Sequence, residues 1–180
     1  MATIATMSGA QFDALPYEEG RRWELFDGEL IEVPSPTPKH QRIVSRINTS
    51  LDNYFDERKS GVTLPDVEFA LGQDWRLRPD IAILRLERWE RIDENRVPVQ
   101  GVPNIAVEVI SPSERTSESA RKVWTYLRSG VEEVWQVFPE TREVAVYSAH
   151  APVRIFTSEE RLATPVLPGW SFSIQEILGS

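Results

Sequence analysis

Two short apolar runs each carry a single carboxylate: RPDIAIL, from Arg78 to Leu84, contains Asp80, and NIAVEVISPS, from Asn104 to Ser113, contains Glu108. Their β-branched content marks both as buried strands. An unpaired carboxylate is costly in such a place, so an acid there faces a polar cleft, a cationic partner or a metal ion. Side chains alternate along a strand, which puts Glu108 on the face of Ala106 and Ile110, and Asp80 on the face of Ala82 and Leu84. If the strands pair with the acids level, their oxygens can share a divalent cation. Oxygen donors without thiolates, in a chain with two histidines, suit Mg²⁺ or Mn²⁺ rather than Zn²⁺. The competing account pairs one acid with an arginine such as Arg78 and uses the other to cap the Ser111-Pro112-Ser113 turn. The spacing leaves both accounts open.

A third group is Lys122, on the helix expected directly after the Glu108 strand. Glu118 lies four residues before it, the orientation that supports a helical ion pair. Either Lys122 is a solvated lysine on the polar face, or its ammonium reaches the acidic sheet edge. There it could orient an attacking water or offset charge on a phosphate.

The elements that must position these residues are readable in outline. Residues 1–12 are small and polar and are expected to form a loose arm ahead of a domain spanning 13–180. FDALPYEEG reads as a helical turn or loop ended by Gly20. WELFDGELIEV reads as two strands around Asp27-Gly28, a hairpin signal. No helix can run through PSPTP, since prolines lack amide donors and bias their neighbours towards extended geometry. From Lys39 to about Arg58, Ile43, Val44, Ile47, Leu51, Tyr54 and Phe55 recur at helical spacing along one stripe. After Gly61 the strands VTLPDVEFAL and RPDIAIL are separated by a polar turn at GQD, and 85–103 forms a charged surface excursion with one turn of helix. The helix from about Glu118 to Arg128 presents Ala120, Val123, Trp124 and Leu127 on one face and stops at Gly130. VEEVWQVF and REVAVYS form a hairpin around PET. The order hairpin, helix, strands, helix, strands gives one mixed α/β or α+β sheet domain.

Composition removes other classes. The 180 residues are enough for a core without staples, and the chain has no cysteine, which excludes disulfides, thiolate zinc sites and cysteine nucleophiles. The first residues lack a basic start and a long apolar core, and no membrane-length apolar run occurs, so a cytoplasmic protein is the default. A net charge of −8 argues against a broad basic surface, so a nucleic-acid role requires a local basic groove. His40 and His150 are too far apart for a metalloprotease motif, and no nucleophile elbow, phosphate loop or dinucleotide fingerprint is present. Trp124 and Trp135 read as packing residues, whereas Trp75 and Trp89 fall in polar loops. The arginines between Arg76 and Arg91 form either a solvated surface or a substrate-facing patch.

WELFDGELIEVPSPTPKHQ, RPDIAIL, AVEVISPSERTSESARKVWTYLRSGVEEVWQVFPETREVAVY and TPVLPGWSF, in that order, resemble the Uma-two family of bacterial restriction-endonuclease-like proteins, a branch of the PD-(D/E)XK nuclease superfamily. The resemblance runs from about Arg22 to Ile177. It implies a restriction-endonuclease-like domain with a mixed central sheet flanked by helices and an N-terminal β-hairpin. It also implies catalytic roles for Glu24, Asp80, Glu108 and Lys122, with Asp80 and Glu108 holding Mg²⁺ or Mn²⁺. The superfamily's usual lysine position, two residues after the second acid, is held by Ile110, so the resemblance assigns the lysine to the helix. Glu24 is expected to complete the metal shell or to pair with Arg22 or a nearby lysine. His40 is expected to contact a phosphate, orient Glu24, or serve as a helix-start contact. DNA is the implied substrate and a homodimer the implied assembly. The alternative is a catalytically inactive interaction or nucleic-acid-binding module that retains the nuclease fold.

Overall fold

A computed structural model of the chain describes residues 6–16, 18–112 and 114–179. A short helix α1 (Gly9–Asp13) precedes the hairpin β1 (Arg22–Phe26) and β2 (Glu29–Val33), and the long helix α2 (Pro38–Arg58) follows. Next come β3 (Gly61–Pro65), β4 (Phe69–Gly72), β5 (Trp75–Leu77), β6 (Ile81–Arg85), α3 (Leu86–Trp89), β7 (Val99–Gln100) and β8 (Ile105–Val109). The chain continues through α4 (Thr116–Arg128), β9 (Glu133–Phe138), β10 (Glu143–Ser148), β11 (Ala151–Phe156), β12 (Arg161–Ala163), β13 (Ser171–Ser173) and α5 (Ile174–Leu178). The fold is the expected mixed α+β arrangement of sheets and helices.

Local chemistry explains the first elements. Asp27 and Gly28 both have positive φ, 50° and 80°, the conformation a two-residue hairpin turn requires. The proline run ends where α2 begins: Thr37 caps it by accepting from the His40 amide, and Pro38 fills the first helical position. The predicted stripe from Ile43 to Phe55 is buried in full.

The six-stranded sheet runs β11-β10-β9-β8-β6-β3, and β8 and β9 are its parallel pair, joined by α4. Alternation divides its side chains between two cores. Ile81, Ile83, Ile105, Val107 and Val109 meet α2 and α5 on one face. Ala82, Leu84 and Ala106 meet Val123 and Tyr126 of α4 on the other, together with Phe26, Phe69 and Leu77 of the five-stranded sheet β2-β1-β5-β4-β7. Trp135 stacks on Trp170 of the C-terminal segment with ring centroids 5.3 Å apart, which closes the first core. Among the described residues no helix is long and apolar enough to cross a membrane.

Several expectations are corrected. The stretch read as a loose arm is tied down from Met7 onward: the Met7 amide donates to the Gly28 carbonyl, Ser8 and Gln11 form a capping box, and Phe12 is buried. Residues 1–5 lie outside the described residues. Asp13 then pairs with Arg76 at 2.8 Å. Trp75 belongs to β5 rather than to a loop and donates to Asp27, and Trp89 ends α3; both pack against the second core. The segment 85–103 holds its turn of helix and also β7, which runs parallel to β4. The arginines between Arg76 and Arg91 form no open basic patch as a group, because Arg76, Arg78, Arg85 and Arg88 each carry an acidic partner.

The largest correction concerns α4. Its apolar face was expected at Ala120, Val123, Trp124 and Leu127, but Ser119, Val123 and Tyr126 are buried while Trp124 is 67 % exposed. The helix is turned so that Lys122 comes inward and Trp124 outward. Trp124→Ser should therefore change unfolding free energy by no more than about 0.5 kcal/mol in a denaturant titration. Leu51→Ala, at a fully buried α2 position, should cost about 2–5 kcal/mol.

Candidate active site

The strand register brings the two acids level. β6 and β8 are antiparallel with Ile81 opposite Val107 and Ala82 opposite Ala106, so the next rung sets Asp80 opposite Glu108. Asp80 stands one residue before β6, and its Oδ2 accepts from the Val109 amide at 2.7 Å. The aspartate thus satisfies a β8 donor beyond the last β6 pairing. His40 Nε2 lies 3.1 Å from the same oxygen, held there by the first turn of α2.

Glu108 is buried in the middle of the sheet and is approached from α4. Tyr126, fully buried, donates its hydroxyl to Glu108 Oε1 at 2.7 Å. Lys122, one turn earlier, sets its Nζ 3.8 Å from Glu108 Oε2 and 2.9 Å from Glu24 Oε2. Glu24 comes from β1 and is 3 % exposed; its Oε1 accepts from the Arg78 amide at 3.0 Å. The structure therefore joins Glu24, Glu108 and Lys122 through one ammonium, and His40 with Asp80 beside them.

Of the alternative pairings, Glu24 does take a lysine, Lys122, but the arginine pairings and the helical Glu118–Lys122 pair are not the ones formed. Arg78 pairs with Glu68 rather than Asp80, and Arg22 pairs with Asp66 rather than Glu24. Glu118 pairs with Arg115, while Lys122 turns to the sheet. The acid that caps the turn after β8 is Glu114, whose carboxylate accepts from the Ser111 backbone. Sequence reading missed both Glu114 and Tyr126. Tyr126 had a usable signal, since a residue four positions after Lys122 shares its helix face. Glu114 had a weaker one: it follows the C-terminal end of a parallel strand, the end at which α/β sheets carry their sites.

Crowded carboxylates reshape the titration. Burial pushes Glu108 up to about 8; Lys122 and the Tyr126 hydroxyl oppose the shift, and the charges of Asp80 and Glu24 add to it. Burial also raises Glu114. For His40 burial works against the charged form, but the hydrogen bond and charge of Asp80 outweigh it and the pKa rises. Lys122 is likewise raised, because Glu108 and Glu24 overcome its burial. Among the described residues no three His, Cys, Asp or Glu side chains form a ready-made metal cage.

Glu108, His40 and Glu114 all hold protons more tightly in the folded chain than in the unfolded one. Unfolding then releases protons, and stability falls as pH rises, for Glu108 across the window from its ordinary 4.5 to about 8. Thermal melts of metal-free protein should show a falling midpoint from about pH 5 to about pH 8. Glu108→Gln should flatten much of that slope.

Comparison with known proteins agrees with this architecture. A structure described as a putative nuclease belonging to DUF820 from Anabaena variabilis superposes with a TM-score of 0.82 at 19 % identity, covering 96 % of this chain and 97 % of that one. No curated protein matches the chain in sequence. The family model described as "Uma2: Putative restriction endonuclease" matches residues 10–175. With nearly the whole chain matched, from α1 to α5, this protein belongs to the Uma2 family.

Proposed function

We propose that this protein is an endonuclease that hydrolyses DNA phosphodiester bonds with Mg²⁺, or with Mn²⁺ in its place. The observation that carries the reading is the convergence of Asp80, Glu108 and Lys122 from a strand entrance, a strand and a helix, with solvent access: the side chains of Asp80 and Lys122 are 24 % and 19 % exposed. Membership in a family described as "Putative restriction endonuclease" supports the reaction class.

The donor set fits a hard divalent cation. Glu24 and Glu108 lie against the Lys122 ammonium, Asp80 stands level with Glu108 across the β6-β8 pair, and all their donors are oxygens. Mg²⁺ commonly takes one or two carboxylates and leaves its other positions to water and substrate phosphate, so Asp80 and Glu108 would suffice without a three-residue cage. Such a cation supplies Lewis-acid polarisation of a phosphoryl oxygen and makes water a better nucleophile at neutral pH.

The chain's own residues then divide the remaining work. Lys122 stays protonated between its carboxylates and offers N–H donors to the oxygen on which charge builds. Glu24 acts by fixing that ammonium, because its two oxygens are taken by Lys122 and by the Arg78 amide. His40 acts through Asp80, whose Oδ2 it holds together with the Val109 amide.

Cleavage of plasmid and single-stranded DNA with Mg²⁺ or Mn²⁺ tests the reading. Asp80→Ala and Glu108→Ala should reduce cleavage to background, and Lys122→Ala should lower kcat about 10²–10³-fold. Undiminished cleavage by both acid variants would sink the assignment. One observation favours a second reading, a non-catalytic nuclease-fold module: Lys122 already carries two carboxylate partners, as a purely structural lysine would. Calorimetric titration of the intact chain with Mn²⁺ separates the two. Binding that disappears in Asp80→Ala supports the enzyme, and no binding supports the module.

A further inference from the structure

We infer that Tyr126 is a positioning residue that fixes which oxygen of Glu108 is offered to a divalent cation. The inference rests on the nuclease reading above and goes beyond it by bringing in a residue outside the acid and lysine set.

Tyr126 has no exposed surface and sits in an apolar layer with Ala82, Ala106, Val123 and Val134. A tyrosine hydroxyl buried this way needs a hydrogen-bond partner. Its partner is Glu108 Oε1, at 2.7 Å. The backbone of Glu108 is fixed in β8 by parallel pairing with β9, where it stands opposite Gln136, so the freedom left to its carboxylate is torsional. The Tyr126 hydroxyl removes that freedom by claiming Oε1. The other oxygen, Oε2, is the one on the Lys122 side, 3.8 Å from its Nζ.

The same helix therefore sets both the lysine and the carboxylate plane, from positions one turn apart. A phenylalanine at 126 keeps the ring and its packing but leaves Oε1 without the hydroxyl donor. Glu108 could then turn, and its ligand oxygen would no longer be pre-set. Groups that orient a metal ligand through a hydrogen bond typically contribute 10–100-fold to metal affinity.

The test is Mn²⁺ affinity, read from the electron paramagnetic resonance signal of free Mn²⁺ as protein is added, with no substrate present. Tyr126→Phe is expected to bind Mn²⁺ about 10–100-fold more weakly than wild type, while its melting in EDTA still shows a cooperative transition. In a Glu108→Gln background the same change should have no further effect on affinity, which a general packing defect would not obey. If Tyr126→Phe does not fold, Glu108→Asp serves instead: it keeps the charge and the tyrosine, draws the carboxylate out of the hydroxyl's reach, and should weaken binding on the same scale. Wild-type binding that Asp80→Ala abolishes but Tyr126→Phe leaves within about twofold overturns the role of Tyr126 alone. No Mn²⁺ binding by wild type overturns this role and the nuclease reading together.

Discussion

The ammonium of Lys122 is the point on which the candidate site depends. A lysine at the junction of a helix and two sheets is tolerated only if its charge is matched, and here Glu24 from the hairpin matches it at 2.9 Å, with Glu108 of the central sheet 3.8 Å away. That requirement accounts for the orientation of α4. A helix packed by hydrophobicity alone would bury Trp124; this one exposes it and brings in Lys122, Val123 and Tyr126. The same pairing ties the five-stranded sheet to the six-stranded one through a polar contact beside their shared apolar core.

The acids themselves were legible in the sequence. Alternation in RPDIAIL and NIAVEVI assigned Asp80 to the face of Ala82 and Glu108 to the face of Ala106, and the register puts these residues opposite one another. The hairpin at Asp27-Gly28, the long helix and the hairpin around PET were legible for the same reason: each is specified by local periodicity or turn chemistry. Strands β6, β8, β9 and β10 and helix α2 follow from the sequence in this way, whereas β11, α5 and the division into two sheets do not.

What was not legible depends on partners distant in sequence. A lysine within a helix reads as solvated until its acids are known to stand beneath it, so helical periodicity placed Val123 and Leu127 on the core face correctly but put Trp124 there in place of Tyr126. Glu118 was the obvious local partner for Lys122, yet four residues of spacing lost to a carboxylate from a different sheet. The arginines from Arg76 to Arg88 look like a basic surface only while Asp13, Glu68 and Glu132 are out of view. Phe12 and the Ser8–Gln11 cap, in an otherwise small and polar stretch, gave too little apolar pattern to reveal that the segment docks on the hairpin.

Lys122 also divides its partners between near and far along the chain. Glu108 precedes it by 14 residues within the β8-α4-β9 unit, whereas Glu24 precedes it by 98. Closing the longer loop costs about 2 kcal/mol more in chain entropy, since that cost grows with the logarithm of loop length. The strand-helix half of the site is therefore the cheaper to close. The hairpin is accordingly the costlier partner to bring to the lysine, and the charge balance of the site depends on that longer closure.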